Sequence, residues 1–138
     1  MNTRVVVFVA LAVSCGVGIG VAADRVAFAQ QPTGIKRKVL ERADDPGSPK
    51  YEAVMAIAEI PAGGTSQRHR HPGIELAYVL EGTVTVQHDG QPPKTFMAGD
   101  AIKNEAAVHN ATNPGKKPVK ILAVYIVEKG KPLAELAK

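Results

Sequence analysis

The stretch that decides the fold is GGTSQRHRHPGIELAYVLEG, residues 63–82. His69 and His71 are separated by one residue, so on a β-strand both imidazoles project from the same face. A Pro-Gly pair then turns the chain, and Glu75 can bring a carboxylate back to the same place. Spacing alone leaves two interpretations open: a metal-ligating group, or two exposed polar residues on a strand edge.

Outward from this stretch, the chain reads as about eight or nine short strands, with turn residues roughly every 8 to 12 positions. Apolar residues fill nearly every position of 51–60, which predicts a strand buried on both faces. Residues 35–40 predict an edge strand, because their lysine and arginine side chains disfavour pairing with another chain. The β-branched run at 119–127 predicts a central strand. Residues 133–137 predict one helical turn, but no longer segment has helical periodicity. The fold class is therefore all-β, an antiparallel sandwich or jelly roll.

A third imidazole comes from His109, which lies far along the chain on another short predicted strand. Three imidazoles and the carboxylate of Glu75 suit one divalent transition metal per chain, namely Mn, Fe, Ni, Cu, Co or Zn. They leave one or two coordination positions for water or substrate. An all-oxygen calcium or magnesium site fits this donor set poorly. The single cysteine, Cys15, lies in the N-terminal apolar segment, so thiolate ligands are not expected.

The framework around these residues resembles the two sequence motifs of the cupin superfamily. The fixed positions of the first motif are matched by Gly63, His69, His71, Glu75 and Gly82. The second motif is matched by Gly99-Asp100, His109 and Asn113. Residues 104–108 depart from the family pattern because they lack its proline and glycine, so the loop that presents His109 is expected to be less constrained.

The resemblance covers roughly residues 51–127 and implies a single conical β-barrel, or double-stranded jelly roll, over that range. It also implies a metal near the barrel axis, ligated by His69, His71, Glu75 and His109. Residues 30–50 would form a linker and an N-terminal edge strand, and 128–138 a C-terminal tail. The family often forms homodimers, and we expect an edge strand such as 35–40 to pair across subunits. The N-terminal segment and the tail are similar to those of small bacterial periplasmic single-domain cupins of type 2.

Residues 1–29 are predicted to be a signal peptide. A basic start precedes an apolar run at 5–23, and Ala27-Phe28-Ala29 supplies a cleavage site. The mature chain would then be periplasmic or secreted. Two alternatives remain: an uncleaved segment that anchors the protein in the membrane, and a lipoprotein cut before Cys15.

Five further side chains are predicted, more weakly, to line the pocket or to form a second layer around the metal: Gln67, Ala77, Val79, Ala107 and Asn113. Gln67 is the one polar neighbour with inward strand parity. Asn113 precedes a Pro-Gly pair, where an asparagine is more often a turn residue. His88 lies beside an Asp-Gly hairpin signal and is predicted to be solvent-exposed. No lysine, aspartate or further glutamate has clear inward parity, so the catalytic residues stay unassigned.

Composition and the inferred pocket narrow the function. The formal net charge of +4 is spread along the chain and tryptophan is absent, which disfavours nucleic-acid binding. Without an acid–base pair, the pocket favours chemistry performed by the metal itself. We predict a divalent-metal-dependent enzyme with oxygenase-like chemistry on a small molecule. The alternative is a non-catalytic cupin module that binds a metal or a small ligand.

Overall fold

A computed structural model describes residues 34–138, and the predicted signal peptide lies outside the described residues. The described part of the chain holds ten β-strands: β1 Lys36–Asp44, β2 Tyr51–Ile60, β3 His69–Arg70, β4 Gly73–Glu81, β5 Thr83–His88, β6 Lys94–Met97, β7 Ala101–Asn104, β8 His109–Thr112, β9 Val119–Glu128 and β10 Glu135–Leu136. Within it, no helix is long and apolar enough to cross a membrane.

The strands form two five-stranded antiparallel sheets that face each other. Sheet A has the order β1-β2-β9-β4-β7, and sheet B has the order β10-β3-β8-β5-β6. Buried side chains of both sheets meet in one core, with Val84 and Val86 of sheet B packed against the inner face of sheet A. This arrangement confirms the predicted all-β jelly roll. The two ladders of hydrogen bonds stay separate and do not close into one continuous barrel.

Strict alternation of burial shows which face of each strand meets the core. Along β9, the inward residues from Val119 to Val127 are buried and the residues between them are more exposed. Strand β2 has the predicted bounds, but the prediction that both its faces are buried is wrong, since Met55 on the outer face is 40% exposed. When the outer face of a strand is apolar like its inner face, the sequence shows a continuous apolar run. That run is the same whether or not another layer covers the outer face.

Two ends of the chain differ from the prediction. Strand β1 continues to Asp44 because its backbone pairs with β2 along its whole length. The helical turn predicted at 133–137 is wrong. Glu135 and Leu136 instead pair with the edge of β3, and the Glu135 carboxylate lies 3.1 Å from the guanidinium of Arg70. The free backbone groups of an edge strand supply partners that a single helical turn would not have.

The start of β4 positions the carboxylate of Glu75. A Cβ atom at Gly73 would overlap the carbonyl oxygen of Ile126, so only glycine lets β4 approach β9 this closely. The resulting register places Glu75 opposite Tyr125 on one side and Asn104 on the other. These three inward-facing side chains form one edge of the site.

Candidate metal centre

Three histidines meet between the two sheets. His69 lies on β3 opposite His109 at the start of β8, and His71 follows just after β3. The ring centroids lie 4.5 Å apart for His69 and His109, and 5.0 and 5.1 Å from His71 to these two rings. All three side chains are buried, and their candidate ligand atoms lie within 4.8 Å of one another.

Backbone carbonyls orient all three rings in the same way. Each Nδ1 donates to a carbonyl oxygen, with lengths of 2.8, 2.5 and 3.0 Å for His69, His71 and His109. The carbonyls belong to Gln67, Leu133 and Ala107, in that order. Because a carbonyl can only accept, Nδ1 carries the proton and Nε2 is left with a lone pair. This is the tautomer in which metal-ligating histidines are held by a partner on the other ring nitrogen.

Glu75 lies beside the histidine cluster and contacts it through one ring. Its Oε2 lies 3.1 Å from Nε2 of His71, and that nitrogen is buried with no hydrogen-bond partner among the described residues. Two buried lone pairs at this distance repel unless a proton or a metal ion lies between them. The pair of atoms therefore has the electrostatic character of a cation site.

Two neutral groups hold the Glu75 carboxylate in place. The amide of Asn104 donates to Oε2 at 2.6 Å, and the hydroxyl of Tyr125 adds a hydrogen bond. Burial by itself would raise the pKa of Glu75. The contact with His71 and the hydrogen bonds from Asn104 and Tyr125 outweigh burial, so the pKa of Glu75 lies below its usual range. Glu75 is therefore an anion in the folded protein.

Burial keeps two of the imidazoles neutral. It lowers the pKa of His69 to about 3, against a smaller opposing effect of the Gln67 carbonyl, and neighbouring positive charges lower it further. Burial is also the main reason that the pKa of His109 lies below its usual value. At neutral pH both rings therefore present lone pairs, which metal ligation requires.

A small cavity opens onto this cluster. Its volume is about 30 Å³, enough for roughly two water-sized groups. The polar residues of its wall are His69, His109 and Glu75, together with two that the sequence did not suggest, Arg37 and Asn104. The remaining lining side chains are aliphatic: Ile35, Ala58, Ile60, Ala77, Val86, Ile102, Ala111 and Ile121.

The predicted pocket residues divide into two groups. Ala77 lines the cavity, and Val79, on the same face of β4, is fully buried in the core. Gln67 and Ala107 are exposed, so the inward parity assigned to them is wrong. Neither lies within a strand, since β3 starts at His69 and β8 at His109, and alternation does not extend past a strand end. Both contribute through their carbonyl groups instead.

Asn113 and His88 also have roles other than those first considered. The buried amide of Asn113 donates to three carbonyls, of Ile60, Pro61 and Lys117, at 2.8 to 3.0 Å, which makes it a turn residue and not a partner of His109. The prediction that His88 is solvent-exposed is wrong. Its ring is half-buried, and Nε2 donates to Oδ1 of Asn104 at 3.0 Å.

Sequence reasoning missed three polar residues at the site: Arg37, Asn104 and Tyr125. Asn104 lies on the same face of β7 as the buried Ile102, and Tyr125 on the same face of β9 as the buried Ala123. Strand alternation could therefore have predicted that both side chains point inward. Their contacts with Glu75 depend on which strands are neighbours, and no local pattern reports that.

Comparison with known proteins agrees with this geometry. No functionally curated protein matches the chain in sequence. A cupin-like protein from Thermotoga maritima is 22% identical, with a TM-score of 0.63 over 78% of this chain and 79% of that one. A Klebsiella pneumoniae protein with a double-stranded β-helix domain is 21% identical, with a TM-score of 0.59 over 80% and 91%.

An oxalate decarboxylase from Lactobacillus farciminis, solved as a formate complex, is 25% identical, with a TM-score of 0.56. The match covers 75% of this chain and 31% of that larger protein. Residues 56–125, just over half of the chain, match the Cupin_2 family, described as a cupin domain. With its jelly roll and its three clustered histidines, the chain belongs to the cupin superfamily, within the Cupin_2 family.

Proposed function

We propose that this protein is a metalloenzyme that acts on a small molecule bound at one divalent transition metal. The observation that carries the proposal is the common orientation of three buried imidazoles. Each has its Nδ1 proton tied to a backbone carbonyl, so three Nε2 lone pairs lie together beside an anionic carboxylate. A buried cluster of acceptors without donors is costly unless a cation occupies it.

The residues present fit a metal. His69, His71 and His109 would hold it through Nε2, and Glu75 would complete the set with an oxygen. Nitrogen and oxygen donors of this kind suit Mn, Fe, Ni, Cu, Co or Zn. When bound, such a metal supplies Lewis-acid polarisation of the substrate or activation of dioxygen.

The chain's own groups support chemistry at the metal more than acid–base catalysis. Burial, followed by the charge of Glu75, raises the pKa of Tyr125, so its hydroxyl stays protonated and serves as a donor to Glu75. The lining residues include no lysine, and Glu75, the one carboxylate among them, is already engaged. The other lining residues, apart from Arg37, Asn104 and the two histidines, are aliphatic. This combination favours oxygenase-like turnover of a small molecule.

The first prediction concerns metal stoichiometry. The purified wild type should bind one divalent metal per chain, and His71→Ala and His109→Ala should each lose stoichiometric binding because each removes an Nε2 ligand. Elemental analysis after loading and desalting measures this. His88→Ala is the control and should keep one metal per chain. Equal metal content in His109→Ala and wild type would contradict the proposed ligand set.

The second prediction concerns turnover. Protein of known metal content should consume dioxygen in the presence of small enolic compounds that fit the cavity, and the rate should follow the metal content across partly loaded samples. An oxygen electrode measures the rate. Tight ligand binding without oxygen uptake or product formation would instead support the alternative function, a non-catalytic module that binds a metal or a small ligand.

The third prediction concerns pH. His69 takes up a proton near pH 3 in the folded chain but near 6.5 in the unfolded chain, so the unfolded state binds more protons between these values. In the metal-free protein, the contribution of His69 to the free energy of unfolding should therefore be fully present above about pH 6.5. It should decrease as the pH falls toward 3, by up to ~1.4 kcal/mol per pH unit. Urea unfolding of chelator-treated protein measures the decline.

The matched variants for this measurement are His69→Gln and His88→Gln. The first should show a shallower decline because the titrating group is gone, and the second should retain the wild-type slope. Identical slopes in His69→Gln and wild type would mean that burial of His69 does not control the pH dependence.

We also propose that the protein is a homodimer that associates through the outer face of sheet A. On β4, four outward side chains, Ile74, Leu76, Tyr78 and Leu80, are 41 to 50% exposed. The register places Val124 of β9 between Leu76 and Met55 of β2, so the apolar surface continues over three strands. Three strands ~4.8 Å apart, each with four outward residues, form a surface of roughly 400 Å². This is about half of the area that one partner buries in a standard interface.

A second copy suits this surface because a largely apolar face can pack against its own symmetry mate. The edge of β1 is a poorer contact, since four charged residues occupy its first six positions. Light scattering should give a dimer for the wild type and a monomer for Leu76→Glu. Leu136→Glu, which alters an exposed leucine on sheet B, should remain dimeric. A monomeric wild type would overturn the proposal.

A further inference from the structure

One cation, Arg37, faces the otherwise aliphatic and metal-ligating cavity. It lies on β1 opposite Ala58, a buried residue of β2, so its side chain points to the space between the sheets. The side chain is half-buried and lines the same cavity as His69 and His109. Its positive charge also contributes to the low pKa of His69, which places it within electrostatic range of the histidine cluster.

The guanidinium is oriented but not neutralised. Its Nε donates to the hydroxyl of Tyr125 at 3.3 Å, and that hydroxyl is in turn hydrogen-bonded to Glu75. Within residues 34–138, no carboxylate forms a salt bridge with Arg37, although Arg42 on the same strand pairs with Glu52 at 2.9 Å. A guanidinium held at Nε presents its terminal nitrogens as a fork, the geometry that binds a carboxylate through two parallel hydrogen bonds.

The charge of the site requires an anion once a metal is bound. The divalent metal contributes two positive charges and Arg37 one, while Glu75 contributes one negative charge and the neutral imidazoles none. About two positive charges then remain beside an aliphatic wall, where uncompensated charge is costly. An anionic ligand offsets this cost, and a neutral ligand does not.

The size of the cavity restricts the anion. A volume of about 30 Å³ accommodates roughly two water-sized groups, which suits a carboxyl group with one or two further atoms. A guanidinium fork binds carboxylates and phosphates alike, so the small volume is what favours the smaller carboxylate group.

We infer that the ligand of this site is a small carboxylic acid, whose carboxylate pairs with Arg37 while its other end faces the histidine cluster. Arg37 is then the residue that selects for a carboxylate. This inference rests on the proposed function, because the charge argument includes the metal.

The test uses acetate and its neutral isostere acetamide as probes, titrated calorimetrically into metal-loaded protein of measured metal content. Because a metal also attracts carboxylates, the deciding comparison is between variants. Arg37→Gln should bind acetate at least tenfold more weakly than wild type, with little change for acetamide. Arg37→Lys keeps the charge but loses the fork, so its affinity for acetate should lie between those of wild type and Arg37→Gln. Arg42→Gln is the matched control on the same strand and should bind both probes as wild type does.

The outcomes separate this inference from the proposed function. Equal acetate affinity in wild type, Arg37→Gln and Arg37→Lys, with full metal content in all three, would overturn the inference and leave the metalloenzyme proposal standing. Inorganic phosphate binding more tightly than acetate would overturn the assignment to carboxylates. Failure of the wild type to bind a metal would overturn the proposed function, and the inference with it. Circular dichroism and metal content establish that each variant is folded.

Discussion

The structure of this site depends on the protonation of three imidazoles. In a buried place, each ring must give its one proton to an acceptor, and the backbone supplies a carbonyl to every Nδ1. The consequence is that three Nε2 atoms come together without protons between them. A folded chain tolerates such a cluster of lone pairs more readily when a cation is bound, so a metal held here would stabilise the fold.

The surrounding strands keep that arrangement rigid. The carbonyl of Leu133, close to β10, accepts the His71 proton, so the short C-terminal strand has a role in the site as well as in the sheet. On sheet A, Asn104 and Tyr125 hold Glu75 from the two neighbouring strands. Partners of this kind set the orientation of a ligand and tune its basicity, and their loss weakens metal binding even though they do not touch the metal.

The two faces of sheet A differ in what they contribute. The inner face carries small side chains such as Ala58 and Ala77, which line the cavity next to the histidine cluster. The outer face carries larger aliphatic side chains and Tyr78, exposed in the single chain. Arg37 joins the inner face from the edge strand, which brings a charged group to the cavity without burying it completely in the core.

The sequence by itself determined the strands and the histidines. Local patterning, made of apolar runs, period-two alternation and turn residues, predicted an all-β jelly roll as well as the bounds of β2. It failed where it was extended past a strand end, as with Gln67 and Ala107. It also failed at 133–137, where the chain pairs with the edge of β3 instead of forming a helical turn. Only the tertiary structure decided the environment of the site. The contacts of Arg37, Tyr125 and Asn104 follow from strand order and register, which are set by packing between distant segments and leave no trace in local periodicity.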